Sequence, residues 1–69
     1  MMNVTQQIMR RFKINSNAAL EVYLRLERNA LDYTEYTQCE LNNMMDEAFA
    51  EIFGTDALFA CRPELQVSA

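Results

Sequence analysis

Residues 41–54 read LNNMMDEAFAEIFG, and they carry the clearest helical pattern in this chain of 69 residues. Apolar side chains recur there at spacings of three and four, which aligns them along one side of a helix. Gly54 follows the last of them and suits a helix C-terminus, where positive φ is needed. The apolar stripe consists of Leu41, Met44, Met45, Ala48, Phe49, Ile52 and Phe53. We therefore predict a helix that ends at Phe53.

The start of this helix is less sharply marked, because two capping signals overlap just before it. Asp32 with Glu35, and Thr37 with Glu40, both have the spacing of a capping box. The helix is accordingly expected to begin somewhere between Asp32 and Thr37.

Two further helices are predicted on the N-terminal side. Residues 3–13 place Val4, Ile8 and Phe12 on one side and basic residues on the other, with Asn3 or Thr5 as N-cap. The stretch INSN at 14–17 breaks the pattern. A second helix then runs from about Asn17 to Leu31, and its apolar residues cover an arc of roughly 200°. Such a wide arc predicts either a central helix or a subunit interface.

The C-terminal part is expected to form a short helix within 55–62, capped by Thr55 or Asp56 and stopped before Pro63. One glycine and one proline in the whole chain are too few for a sheet with tight turns. We predict an all-α fold: a small bundle of three main helices plus a short C-terminal helix. Residues 1–62 would form a single helical domain, and residues 63–69 an extended tail.

The residue types exclude most enzyme chemistry. The chain has no histidine, one glycine and two cysteines, Cys39 and Cys61. The common general base, a phosphate-binding loop and a four-ligand zinc site are therefore all missing. We expect a protein that is not an enzyme and uses no metal or cofactor. Without a signal peptide or membrane span it should be cytoplasmic, with both cysteines buried and reduced.

Charge is divided unevenly along the chain, whose formal net charge is −4. Residues 1–31 have five basic and two acidic residues, a net +3. Residues 32–69 have eight acidic residues and one basic residue, Arg62, a net −7. This division predicts either opposite electrostatic fields at the two ends of the molecule or an acidic helix that faces a basic one.

The basic half resembles a helix-turn-helix in outline, since FKINSNAALEVYLRLER at 12–28 reads as helix, break, helix. This gives an alternative function, DNA binding through basic side chains. Against it, Lys13 stands where the turn usually has glycine, and the second helix begins without a cation. Pairs at i, i+4, Glu21 with Arg25 and Arg28 with Asp32, would also neutralise part of the charge. The candidate residues are Arg10, Arg11, Lys13, Arg25 and Arg28.

The acidic half suggests the leading function, a small regulator, adaptor or inhibitor that docks on the basic surface of another protein. Acidic residues recur along the outer face of the third helix, beside tyrosines that offer contact area at low entropic cost. The predicted docking residues are Tyr33, Tyr36, Glu40, Asn43, Glu47 and Glu51. Alternatively, the basic residues of the first helix pack against this face. A homodimer is expected, since a chain this short is marginally stable by itself.

Overall fold

A computed structural model describes residues 3–30 and 33–62, except for the side chain of residue 33. The described parts contain four α-helices and no strand. The helices are α1 (Val4–Phe12), α2 (Ser16–Asn29), α3 (Gln38–Phe53) and α4 (Thr55–Cys61), with a 3-10 turn at Tyr33–Glu35 before α3. The predicted all-α class, with three main helices and a short fourth one, is confirmed. The predicted tail at 63–69 lies outside the described residues.

Asparagine side chains cap the first two helices. Asn3 Oδ1 accepts a hydrogen bond from the Gln6 amide at 2.8 Å. Asn15 Oδ1 accepts one from the Ala18 amide at 2.9 Å, so α2 begins one residue earlier than the predicted Asn17. Each cap satisfies an amide that the first turn of the helix leaves unpaired. The break between the two helices, which the sequence predicts at 14–17, is found at residues 13–15.

The second of the two capping signals starts α3. Thr37 Oγ1 accepts from the Glu40 amide at 3.1 Å, and Glu40 Oε1 accepts from the Thr37 amide at 2.9 Å. This reciprocal pair is a complete capping box. The helix α3 therefore begins at Gln38. An earlier start would have placed residues 33 and 36 on its outer face, but both residues precede the helix.

Gly54 is the single residue between α3 and α4. Its φ of 97° and ψ of 155° end α3, as the sequence predicts for this glycine. Its amide donates to the Ala50 carbonyl at 2.8 Å, and its carbonyl accepts from the Leu58 amide at 3.2 Å. The prediction that Thr55 or Asp56 caps α4 is wrong, because Gly54 is the N-cap and no side chain caps this helix.

The core lies where α3 packs against α2 and α4, and where α1 packs against α2. The rings of Phe12 and Phe49 stack with their centroids 4.3 Å apart, which joins α1 to α3. The methionines of α1 and α3 help to fill this core, since Met45 is fully buried and Met9 and Met44 pack at its edge. The buried apolar residues are Ile8, Phe12, Ala19, Val22, Leu26, Ala30, Leu41, Met45, Ala48, Phe49 and Leu58.

The wide apolar arc of α2 is only partly buried. Its inner side contributes Ala19, Val22 and Leu26 to the core. Leu20 and Leu24, one turn apart on another side of the helix, are 48% and 52% exposed. The arc is therefore wider than the neighbouring helices can cover.

The cysteines depart from the prediction that both are buried. Cys39, in the first turn of α3, is exposed, whereas Cys61 is half-buried, and neither forms a disulfide. Cys61 Sγ lies 3.5 Å from the Phe12 carbonyl oxygen and donates a weak hydrogen bond to it. This contact ties the end of α4 to the last turn of α1.

Candidate functional site

The most buried charge in the described residues is Asp46, on the side of α3 that faces α1. Arg11 binds its carboxylate with two hydrogen bonds, from Nε to Oδ1 at 2.9 Å and from Nη2 to Oδ2 at 3.0 Å. Arg62, just after α4, adds Nη1 at 3.2 Å from Oδ1. Asp46 is only 9% exposed, so these contacts supply the partners that a buried carboxylate requires. The cluster connects α1, α3 and the end of α4.

Asp46 was not among the candidate residues selected from the sequence. A signal was available, because Asp46 is one turn from Phe49 and therefore close to the apolar stripe. A carboxylate at that position of a helix needs a cation from another element. The alternative prediction placed the basic residues of the first helix against the outer acidic face of the third. The structure instead brings Arg11 to Asp46, which is not part of that face.

A second contact between helices involves Glu51, near the end of α3. Arg25 Nη1 lies 3.3 Å from Glu51 Oε1, and Asn29 Nδ2 donates to both carboxylate oxygens at 3.2 Å. Arg25 thus pairs across to α3, and the predicted pair with Glu21 is wrong. The other predicted pair, Arg28 with Asp32, stays a prediction because Asp32 lies outside the described residues. Of the six predicted docking residues, Glu51 is therefore already engaged within the molecule.

The remaining predicted docking residues differ in their surroundings. Glu40, Asn43 and Glu47 are exposed and follow one another along the outer side of α3. Glu40 is partly committed to the capping box, whereas Glu47 has no ion pair within residues 3–30 and 33–62. Tyr36 is exposed in the segment before α3. The side chain of Tyr33 lies outside the described part. We call Glu40, Asn43 and Glu47 the acidic face, which Tyr36 precedes in the chain.

The five predicted nucleic-acid-binding residues do not converge on one surface. Arg10 and Arg11 line one depression, and Arg25 and Arg28 line another. Lys13 is exposed in the turn between α1 and α2. Because Arg11 and Arg25 are paired with carboxylates, fewer cations remain for phosphate than the sequence alone indicated.

Two other kinds of feature are absent from residues 3–30 and 33–62. No helix among them combines the length and apolar character needed to cross a membrane. In the same ranges, no three cysteine or acidic side chains are grouped so that they could hold a metal ion. No known family model, curated protein or solved structure matches the chain. The site must therefore be interpreted from its own geometry and charge.

Proposed function

We propose that the protein is a non-enzymatic regulator, adaptor or inhibitor that binds the basic surface of another protein through the acidic face. The observation that carries this proposal is Glu47, exposed beside Asn43 on α3 with no ion pair among the described residues. Its nearest acidic neighbours along the helix, Asp46 and Glu51, are both neutralised by arginines. The outer side of α3 therefore has a negative charge, on Glu47, that no basic residue of the described parts neutralises.

Physical considerations support a docking role for such a face. Exposed charges of one sign accelerate encounter with an oppositely charged surface, and they contribute more to association rate than to final affinity. Tyr36 adds an aromatic ring with a hydroxyl, which is a side chain enriched in protein interfaces. The unpaired cysteines suit a reducing compartment, which supports a cytoplasmic location.

Affinity capture from cells of the source organism, at low and high salt, tests the docking face with a matched pair of variants. Glu47→Lys should reduce capture of the partner by about tenfold at low salt, because it places like charges opposite each other. Glu27→Lys makes the same charge change at an exposed position of α2 and should leave capture unchanged. Equal capture by both variants and the unmodified protein would rule out the acidic face.

A second candidate function, DNA binding by a helix-turn-helix, is favoured by one observation. Lys13 adopts φ 56° and ψ 50°, the left-handed conformation for which this kind of turn usually has glycine. The exposed start of α2, with Ser16, Asn17 and Glu21, offers no cation to DNA. A mobility-shift titration of a DNA duplex at two salt concentrations tests this function. Salt-sensitive binding that is lost in the Arg10→Ala, Lys13→Ala double variant would favour it over the docking protein.

We also propose a homodimer. The support is the exposed side of α2, where Leu24 is flanked by Glu21 and Arg28 around one depression. This side belongs to the wide apolar arc from which the sequence predicts either a central helix or a subunit interface. If two copies of α2 pack antiparallel about a two-fold axis near Leu24, each Glu21 faces the partner's Arg28. Such a surface is complementary to itself.

Sedimentation equilibrium tests the dimer. We expect a mass of two chains at micromolar to millimolar concentrations, and a mass of one chain for Leu24→Glu, which places a carboxylate on the two-fold axis. Leu24→Met retains apolar contact and should remain dimeric. A mass of one chain for the unmodified protein up to the highest concentration would contradict the dimer.

A further inference from the structure

The depression between α1 and α3 is bordered almost entirely by hydrogen-bond donors. It has a volume of about 430 Å³ and is open to solvent. Its lining comprises Gln7, Arg10, Arg11, Asn42, Met45 and Arg62. Three of these six residues are arginines, in a protein whose formal net charge is −4. Half of the chain's basic residues therefore meet at a single surface.

Asp46 neutralises only part of this positive charge. One carboxylate faces the guanidinium groups of Arg11 and Arg62, and Arg10 has no ion pair within the described ranges. Asp46 uses Nε and Nη2 of Arg11, so Nη1 of that side chain is not part of the contact. The two-point contact also fixes the plane of the Arg11 guanidinium, which gives its remaining donor a defined direction.

The two amides in the lining are oriented by a third amide outside it. Gln38 Nε2 donates to Gln7 Oε1 at 2.9 Å and to Asn42 Oδ1 at 2.8 Å. Both carbonyl oxygens are thus occupied by the same donor. The Nε2 group of Gln7 and the Nδ2 group of Asn42 remain as donors beside the arginines.

We propose that this depression binds a phosphate group. The donors of Gln7, Arg10, Arg11 and Asn42 come from two helices, α1 and α3, and therefore approach from different sides. The oxygens of a tetrahedral phosphate are not confined to one plane and can accept from donors on different sides, whereas the two oxygens of a carboxylate lie in one plane. Because Arg10 has no ion pair among the described residues, the lining contains a positive charge that Asp46 does not offset, and an anion is favoured over a neutral ligand. The acidic face lies on a different side of α3 and plays no part in this site.

Titration of the protein with sodium phosphate, monitored by NMR of the side-chain N–H groups, tests the site. Ionic strength is held constant with sodium chloride. We expect saturable shifts at the Nε–H of Arg10, at the Nη–H groups of Arg11 and at the amide groups of Gln7 and Asn42. Arg10→Gln combined with Asn42→Ala should weaken binding by about tenfold or more, since two donors to the anion are lost. Arg28→Gln, at the other depression, should bind phosphate as the unmodified protein does.

Two further arms identify the ligand and its source. Sodium acetate should bind more weakly than phosphate, and equal or tighter acetate binding would overturn the phosphate assignment. O-phosphoserine and a short single-stranded DNA distinguish a phosphate monoester from a nucleic-acid backbone, and competition by either at the same signals supports the site. Shifts that remain linear, or that persist unchanged in the Arg10→Gln, Asn42→Ala variant, would overturn the proposal.

Discussion

Two residues hold the chain in conformations that few side chains favour. Lys13 and Gly54 both have positive φ, at 56° and 97°. They occupy the two shortest connections described, between α1 and α2 and between α3 and α4. Only Gly54 was predictable in this role, because a glycine directly after an apolar helix is a local signal. Lys13 gives no such signal, since lysine is not a residue type that favours positive φ.

Gly54→Ala should destabilise the protein through the backbone alone. A methyl group at this position would meet no atom within 4 Å, so no clash contributes. The combination of φ 97° and ψ 155° is nevertheless one that glycine alone adopts readily, and we expect a loss of about 1–3 kcal/mol. Urea denaturation followed by circular dichroism measures it. An unchanged midpoint would show that the junction of α3 and α4 adopts another conformation.

Lys13→Gly should have the opposite effect. Glycine removes the strain of a left-handed lysine, and its greater freedom in the unfolded chain offsets part of this gain. We expect a net stabilisation of about 0.5–1 kcal/mol, measured by thermal unfolding. Lys13→Ala retains the strain and should give no such gain. A lower melting temperature for Lys13→Gly would contradict the left-handed turn.

At the scale of elements, helices were predictable because their signals are local. The apolar stripe of α3 and the capping box of Thr37 and Glu40 both lie within a few residues. The contacts between helices were not predictable in the same way. Arg11 and Asp46 are 35 positions apart, and Arg25 and Glu51 are 26 positions apart. A helical wheel orders residues around one axis but does not say which face of another helix it meets.

The capping box should be worth a measurable part of the stability of α3. Thr37→Ala removes the hydroxyl that accepts from the Glu40 amide, which should cost about 1 kcal/mol. Thr37→Ser retains this hydroxyl and should be close to neutral. Hydrogen exchange of the first amides of α3 localises the effect. Equal protection of these amides in both variants would show that the helix starts elsewhere.

At the scale of the whole molecule, two carboxylates of α3 neutralise part of the positive charge of the N-terminal half. Asp46 and Glu51, both on α3, bind Arg11 and Arg25. These contacts hold α1 and α2 against α3 and leave Glu47 as the exposed acid between them in sequence. The same contacts remove two of the five cations on which a DNA-binding function would depend. The proposed docking face and the internal ion pairs are therefore two consequences of one arrangement.

The internal commitment of Arg11 is the central claim, and a double-mutant cycle with Asp46 tests it most directly. The free energy of unfolding is measured in urea for Arg11→Gln, Asp46→Asn, the double variant and the unmodified protein. Because the pair is largely buried and joined by two hydrogen bonds, we predict a coupling energy of about 1–3 kcal/mol. Effects that add to within about 0.5 kcal/mol would contradict the claim, because Arg11 and Asp46 would then not stabilise the fold as a pair.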